Sequence, residues 1–311
     1  MTSADMNNLT QAKEAVEETP LRELDGRTGR LYLRIWNQRS VFLVLRAATL
    51  VNGLALAIIL VFLIKNGWSS ITFGFLTQPP TNSMTQGGIL PCIIGTIILS
   101  VGAMAVALPL GTASAIYLHE YARPGFTVRA IKFGVSNLAG VPSIVFGLFG
   151  LAFFVTWCKL GVCILSGVLT LGALILPILI GTAEEALASV PAGYREASLA
   201  LGASQWQTIY RVVLPAALPG ILTGAILGVS RAAGETAAIM FTAAVYFIPH
   251  LPQTPFDQVM ALPYHIYVLA TAGTQIDLTR PIQYGTALVL IFLVLGTNLG
   301  AILYRARLRG A

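Results

Sequence analysis

The chain has 311 residues, 56% of them hydrophobic and only 10% charged, with a mean hydropathy of +0.77. A soluble domain carries about 25% charged residues, so this composition cannot cover a globular surface, and lipid must cover most of it. The formal charge of +6 reads as Lys and Arg gathered at the cytoplasmic ends of spans, not as a nucleic-acid patch.

Residues 1–40 are polar and mixed in charge. They lack the apolar core of a cleavable signal and read as a cytoplasmic segment, partly disordered and partly interfacial helix. Crossing about 30 Å of hydrocarbon takes about 20 helical residues, and six apolar stretches qualify: 41–65, 89–118, 130–157, 162–187, 218–246 and 282–304. Their many small residues suit close helix packing in lipid. With the N-terminus inside, the inside segments hold fourteen of the nineteen Lys and Arg and the outside segments three, so both termini are expected in the cytoplasm. Residues 305–311 form a basic tail. The outside segments 66–88 and 247–280, rich in Pro, Gln and Thr, read as loops or short surface helices.

Cys92, Cys158 and Cys163 have no zinc-type or CxxC spacing and read as apolar fillers, with a Cys158–Cys163 bridge left open. His119, His250 and His265 stand apart and read as surface or interfacial histidines. No metal-ligand cluster, Ser/His/Asp set or phosphate loop is present, so a catalytic role is not expected.

The cytoplasmic connector between the fourth and fifth spans, about 188–216, interrupts the apolar pattern with "EASLALGASQWQTIYRVVLP", Glu196 to Pro215. Pro191 suits a first helical turn, Gly202 a left-handed helix end, and Ser204 with Gln207 a capping box. Two short helices follow from these signals, the second stopped by Pro215. Leu199, Ala203, Trp206, Tyr210 and Val213 make one apolar stripe. The stripe needs a partner protein, the chain's own spans or a lipid surface.

Glu196-Ala197-Ser198, then Gly202, then Val212-x-Leu214-Pro215 resembles the EAA loop of ABC-importer permeases, with Ser198 and Val212 as mild departures. The resemblance implies an all-α, six-span type I permease fold. It also implies that a connector including Glu196, Ala197, Gly202, Trp206, Leu214 and Pro215 docks on a separate ATP-hydrolysing subunit. This chain would itself bind no cofactor.

In "GVSRAAGETAAIMF", Arg231 and Glu235 are four apart inside an apolar stretch, where each charge costs about 3 kcal/mol. On a continuous helix they would share a face and could pair. The pair could be structural, or Arg231 could face an anion path with Glu235 holding and tuning it, since guanidinium matches phosphate and carboxylate geometry. "SRAAGETA", with "FLTQPP", "GGILPCIIGT", "AIYLHEYA" and "AGVPSIVFGLFGL", is similar to the A-type subunit of phosphate-uptake permeases. Gly181 takes the place of a further Arg that some of these carry near the end of the fourth span, and Glu184 remains. The resemblance implies a sister permease chain, two ATP-binding subunits and a phosphate-binding protein, in the bacterial cytoplasmic membrane. Another oxyanion (sulfate, molybdate or phosphonate) or an autonomous ion-coupled transporter are the alternatives.

Overall fold

A computed structural model describes residues 41–272 and 276–309. The expectations for residues 1–40 lie outside the described residues. Of the basic tail, residues 305–309 continue the last helix.

Contacts divide the chain into Met1–Phe62 and Leu63–Ala311. Helix α1 (Val41–Ser70) begins in the first unit. Its most apolar window has a mean hydropathy of 2.6 and buries nothing, a surface that only lipid or another apolar chain covers. The second unit holds everything that follows.

The short helix α2 (Phe73–Thr77) starts on Thr72, whose hydroxyl accepts from the Phe75 N–H. A two-stranded antiparallel turn pairs β1 (Pro80–Thr81) with β2 (Gln86–Gly87). Helix α3 (Leu90–Ile116) continues through wider turns to Tyr121. Next come α4 (Phe126–Leu138), α5 (Ser143–Gly150, continuing to Trp157) and α6 (Ile164–Ala188). The connector holds α7 (Ala192–Ala200) and α8 (Gln205–Thr208). Helix α9 (Leu214–Gly234), the short α10 (Ala237–Met240), α11 (Leu262–Thr271) and α12 (Ile276–Arg309) complete the chain.

Five helices are long and apolar enough to cross a membrane, and α4 with α5 make a sixth if taken together. The third span is therefore not the single helix expected over 130–157: its halves meet at 102°. Gly140 and Pro142 explain the bend. Val141, as the residue before a proline, is pushed out of the helical region, and Pro142 itself is extended (φ −57, ψ 140). The fifth span also ends early, at Gly234 rather than 246, with Glu235 extended (ψ 127).

Small and branched side chains fill the centre. Leu99, Ala103, Leu171, Leu174, Ile175 and Ile239 are among its buried members. At the connector end Ala183, Leu187, Val190, Val213, Ala217 and Ile221 close a second cluster. Helices α6 and α9 approach closely at glycines: Gly220 faces Ala186 and Gly224 faces Thr182, while Gly228 meets Met104 of α3 first and then Leu179 and Ile175 of α6. A Cβ at Gly224 would collide with the Thr182 hydroxyl, so this crossing tolerates only glycine.

The reading of His265 as a surface residue is corrected. It is 2% exposed on α11, outside the spans, and neither ring nitrogen has a hydrogen-bond partner among the described residues. Burial pushes its pKa down to about 4. The cysteines are free: Cys92 and Cys163 are buried, whereas Cys158 is exposed, so it fills no protein core.

Candidate coupling connector and anion path

Connector helix α7 starts after Pro191, which is extended (φ −56, ψ 138). Gly202 has φ +85, the left-handed conformation that glycine adopts without steric cost. Ser204 then caps α8: its Oγ accepts from the Gln207 N–H at 3.3 Å, and its own N–H donates to Gln207 Oε1 at 2.9 Å. The Ser198 and Thr208 hydroxyls, 2.9 Å apart, tie α7 to α8.

Pro215 does not stop the second helix. Residues Ile209–Val213 take a π-helical turn, in which the Leu214 N–H donates to the Ile209 carbonyl, and Pro215 falls in the first turn of α9. Proline breaks a helix because its ring clashes with the carbonyl four residues back and it offers no N–H. A widened turn accommodates both defects. Gln205–Gly234 is consequently one continuous span.

The apolar stripe divides in two. Val213 is fully buried in the connector-end cluster, and Ala203 is half-buried. Leu199, Trp206 and Tyr210 remain exposed, with the Trp206 and Tyr210 rings stacked at 6.4 Å. Leu201, beside the Gly202 knee, is 90% exposed, and the stripe pattern had omitted it. Glu196 and Ala197 are exposed beside them. A bent, rigid, partly apolar surface thus stands at one end of the bundle.

Its rigidity comes from a residue that the sequence reading used only as a topology marker. Arg195 donates from Nη2 and Nε to Glu120 at 2.7 to 3.3 Å. Its Nη1 donates to the Val190 carbonyl at 2.8 Å, and Nη2 also donates to that of Leu187 at 2.9 Å. Gln205 Nε2 donates to the Glu120 carbonyl at 2.8 Å. Glu120 is only 9% exposed in its side chain and Arg195 20%, so the fork-to-carboxylate pair is shielded from water and strong. One guanidinium thereby fastens α7 to the ends of both α3 and α6.

Arg231 and Glu235 do not form the expected pair. The helix ends between them, and both are half-buried, their side chains with no hydrogen-bond or ion-pair partner among the described residues. A guanidinium unpaired among the described residues is left on an apolar span. Extending the α6–α9 contacts sets Arg231 level with Ile175, near the middle of α6. Glu184 lies about nine residues further along, roughly 13 Å at 1.5 Å per residue. The two residues therefore occupy separate levels. Glu184 instead meets Lys132 of α4, with Nζ 3.3 Å from Oε1.

The comparisons with known proteins match this arrangement. Residues 107–308 match the family described as the inner membrane component of binding-protein-dependent transport systems. The chain is 38% identical over 220 residues to the phosphate transport system permease protein PstA of Mycobacterium leprae, covering 70% of this chain and 71% of that one. It is 32% identical to the probable phosphate transport system permease protein PstA of Methanocaldococcus jannaschii, covering 85% and 92%. It is 35% identical to the probable ABC transporter permease protein YqgI of Bacillus subtilis, covering 77% and 85%. In fold it is similar to the MetNI methionine ABC transporter in an inward-facing conformation, with a TM-score of 0.54 at 20% identity over 71% of this chain and 94% of that one. A bacterial ABC transporter involved in alginate import gives 0.55 at 17% identity over 86% and 98%. A multi-pass bundle without a phosphate loop, carrying a clamped connector that matches the EAA pattern, belongs to the binding-protein-dependent ABC-importer permeases.

Proposed function

We infer that this permease subunit carries inorganic phosphate inward across a bacterial cytoplasmic membrane, with both termini in the cytoplasm. It would pair with a sister permease and be driven by two ATP-binding subunits, receiving phosphate from a binding protein on the outer side. One observation carries the choice of an anion: Arg231, on an otherwise uncharged helix α9, has no partner among the described residues. Leaving a cation unneutralised there is costly, and an anionic solute offsets that cost. The relatives named as phosphate permeases support phosphate in particular, while the name of the B. subtilis relative specifies no solute.

The work would enter at the knee. An ATPase closing on Leu201, Trp206 and Glu196 pushes α8, which is continuous with α9, so the fifth span moves as a lever. The same push on α7 reaches α3 and α6 through Arg195. Alternating access follows if these helices tilt together.

The reconstituted complex with its binding protein should hydrolyse ATP several-fold faster with phosphate than without, and sulfate and phosphonate should not substitute. Equal stimulation by sulfate, or none by phosphate, rejects phosphate as the solute. At the knee, a Cβ on Gly202 meets nothing within 4 Å. Gly202→Asp therefore costs only about 1 kcal/mol of backbone strain. It should leave membrane abundance unchanged and lose most uptake, because it puts a carboxylate on the docking face. Wild-type uptake in that variant counts against docking there.

A further inference from the structure

Between α4 and α6 lies a cavity of about 360 Å³ with Lys132, Ser136, Thr182, Glu184 and the solvent-exposed Glu185 in its wall. The volume is about ten times the share of one water molecule in the liquid, enough for a tetrahedral oxyanion with part of its hydration. Gly181 keeps it open, since a Cβ there meets no atom within 4 Å.

The charges in it are not saturated. Lys132 Nζ is 3.3 Å from Glu184 Oε1, yet that buried oxygen has no aligned hydrogen-bond donor among the described residues. The pair is a charge contact with acceptor capacity left over on the carboxylate. Lys132 keeps 42% of its side chain exposed, so its ammonium can turn towards an arriving anion.

A cation beside an unfilled carboxylate acceptor suits one class of anion. Near neutral pH phosphate and phosphonates keep a P–OH, which donates to a carboxylate, while their other oxygens accept from an ammonium. Sulfate and molybdate are fully deprotonated and would meet Glu184 as bare like charge. We propose that this cavity is a second station for the solute, about 13 Å closer to the connector than Arg231. Here Lys132 holds the anionic oxygens and Glu184 accepts the proton-bearing one, selecting oxyanions that keep a proton. The proposal rests on the phosphate reading above and assigns its discrimination against fully deprotonated oxyanions to residues within the membrane domain.

Equilibrium dialysis tests it on the permease–ATPase complex in nanodiscs, without binding protein, using radiolabelled phosphate and sulfate. Phosphate should bind at least about tenfold more tightly than sulfate, the worth of one charged hydrogen bond. In an Arg231→Gln background, which leaves this cavity as the anion site, Lys132→Gln should abolish binding of both, and Glu184→Gln should bring the two within a factor of about three. Equal phosphate binding with and without Lys132→Gln in that background overturns the station. So does a site that binds phosphate only after lipid is stripped away, because the occupant is then a headgroup phosphodiester, which has no P–OH.

The double variant Lys132→Met with Glu184→Leu separates a merely structural pair, which apolar isosteres replace at little cost. It should assemble and lose uptake. If it keeps phosphate uptake and phosphate-stimulated ATP hydrolysis, the station is wrong while the phosphate function stands. If the wild-type complex shows no phosphate stimulation at all, the function itself falls.

Discussion

Replacing Arg195 with alanine should cut uptake at least about tenfold while the subunit still reaches the membrane. The substitution strands Glu120, whose side chain is 9% exposed, and removes the donors to the Leu187 and Val190 carbonyls. Breaking a shielded ion pair from one side costs about 3 kcal/mol. Here that cost falls on the joint between connector and bundle, because the centre of the core is built from other residues. Basal ATP hydrolysis, which belongs to the partner subunits, should persist, and its stimulation by loaded binding protein should disappear. Arg195→Lys should recover only part of the coupling: a single ammonium cannot reproduce a planar fork that reaches a carboxylate and two carbonyls. Parallel assays of uptake and stimulated ATP hydrolysis decide the matter. Wild-type coupling in Arg195→Ala means the clamp transmits nothing.

The second large effect is expected at Arg231. Arg231→Gln removes a charge that no described residue neutralises, so the protein should fold and assemble at least as well as before. Uptake should fall about thirtyfold, the equivalent of about 2 kcal/mol for a charged hydrogen bond to the solute. Arg231→Lys should retain more activity than Gln. If Arg231→Gln transports normally, the anion does not pass this residue. If it fails to assemble, Arg231 is a packing element whose partner lies on another chain.

The membrane class and the connector were legible because their signals are local. Apolar runs announce spans, and Pro191, Gly202 and the Ser204–Gln207 box each act within a few residues. The failures have physical causes as well. The bend at Gly140–Pro142 was visible in the residues but submerged in a hydropathy average taken over the whole run. Gly234 and Glu235 end α9, yet a period-based reading carries a helix on through apolar residues. Pro215 suggested a stop because the π-turn that relieves it leaves no mark in composition. The Arg195–Glu120 and Lys132–Glu184 pairs join residues distant in the chain, and no local pattern announces them. The stripe was divided by tertiary burial: periodicity treats Val213 and Trp206 alike, but only Val213 is covered.

The elbow of the third span is self-contained. Val141 lines one hollow with Ala173, Leu176 and Pro177, halfway along α6, which sets the bend level with the middle of that helix. The Ala139, Gly140 and Val141 N–H groups donate to the Val135, Asn137 and Leu138 carbonyls, so the elbow closes its own donors, as hydrocarbon surroundings demand, even though Ala139 and Gly140 are exposed within this polypeptide. The third span can therefore turn through 102° without stranding a backbone donor, whatever abuts the chain along this edge.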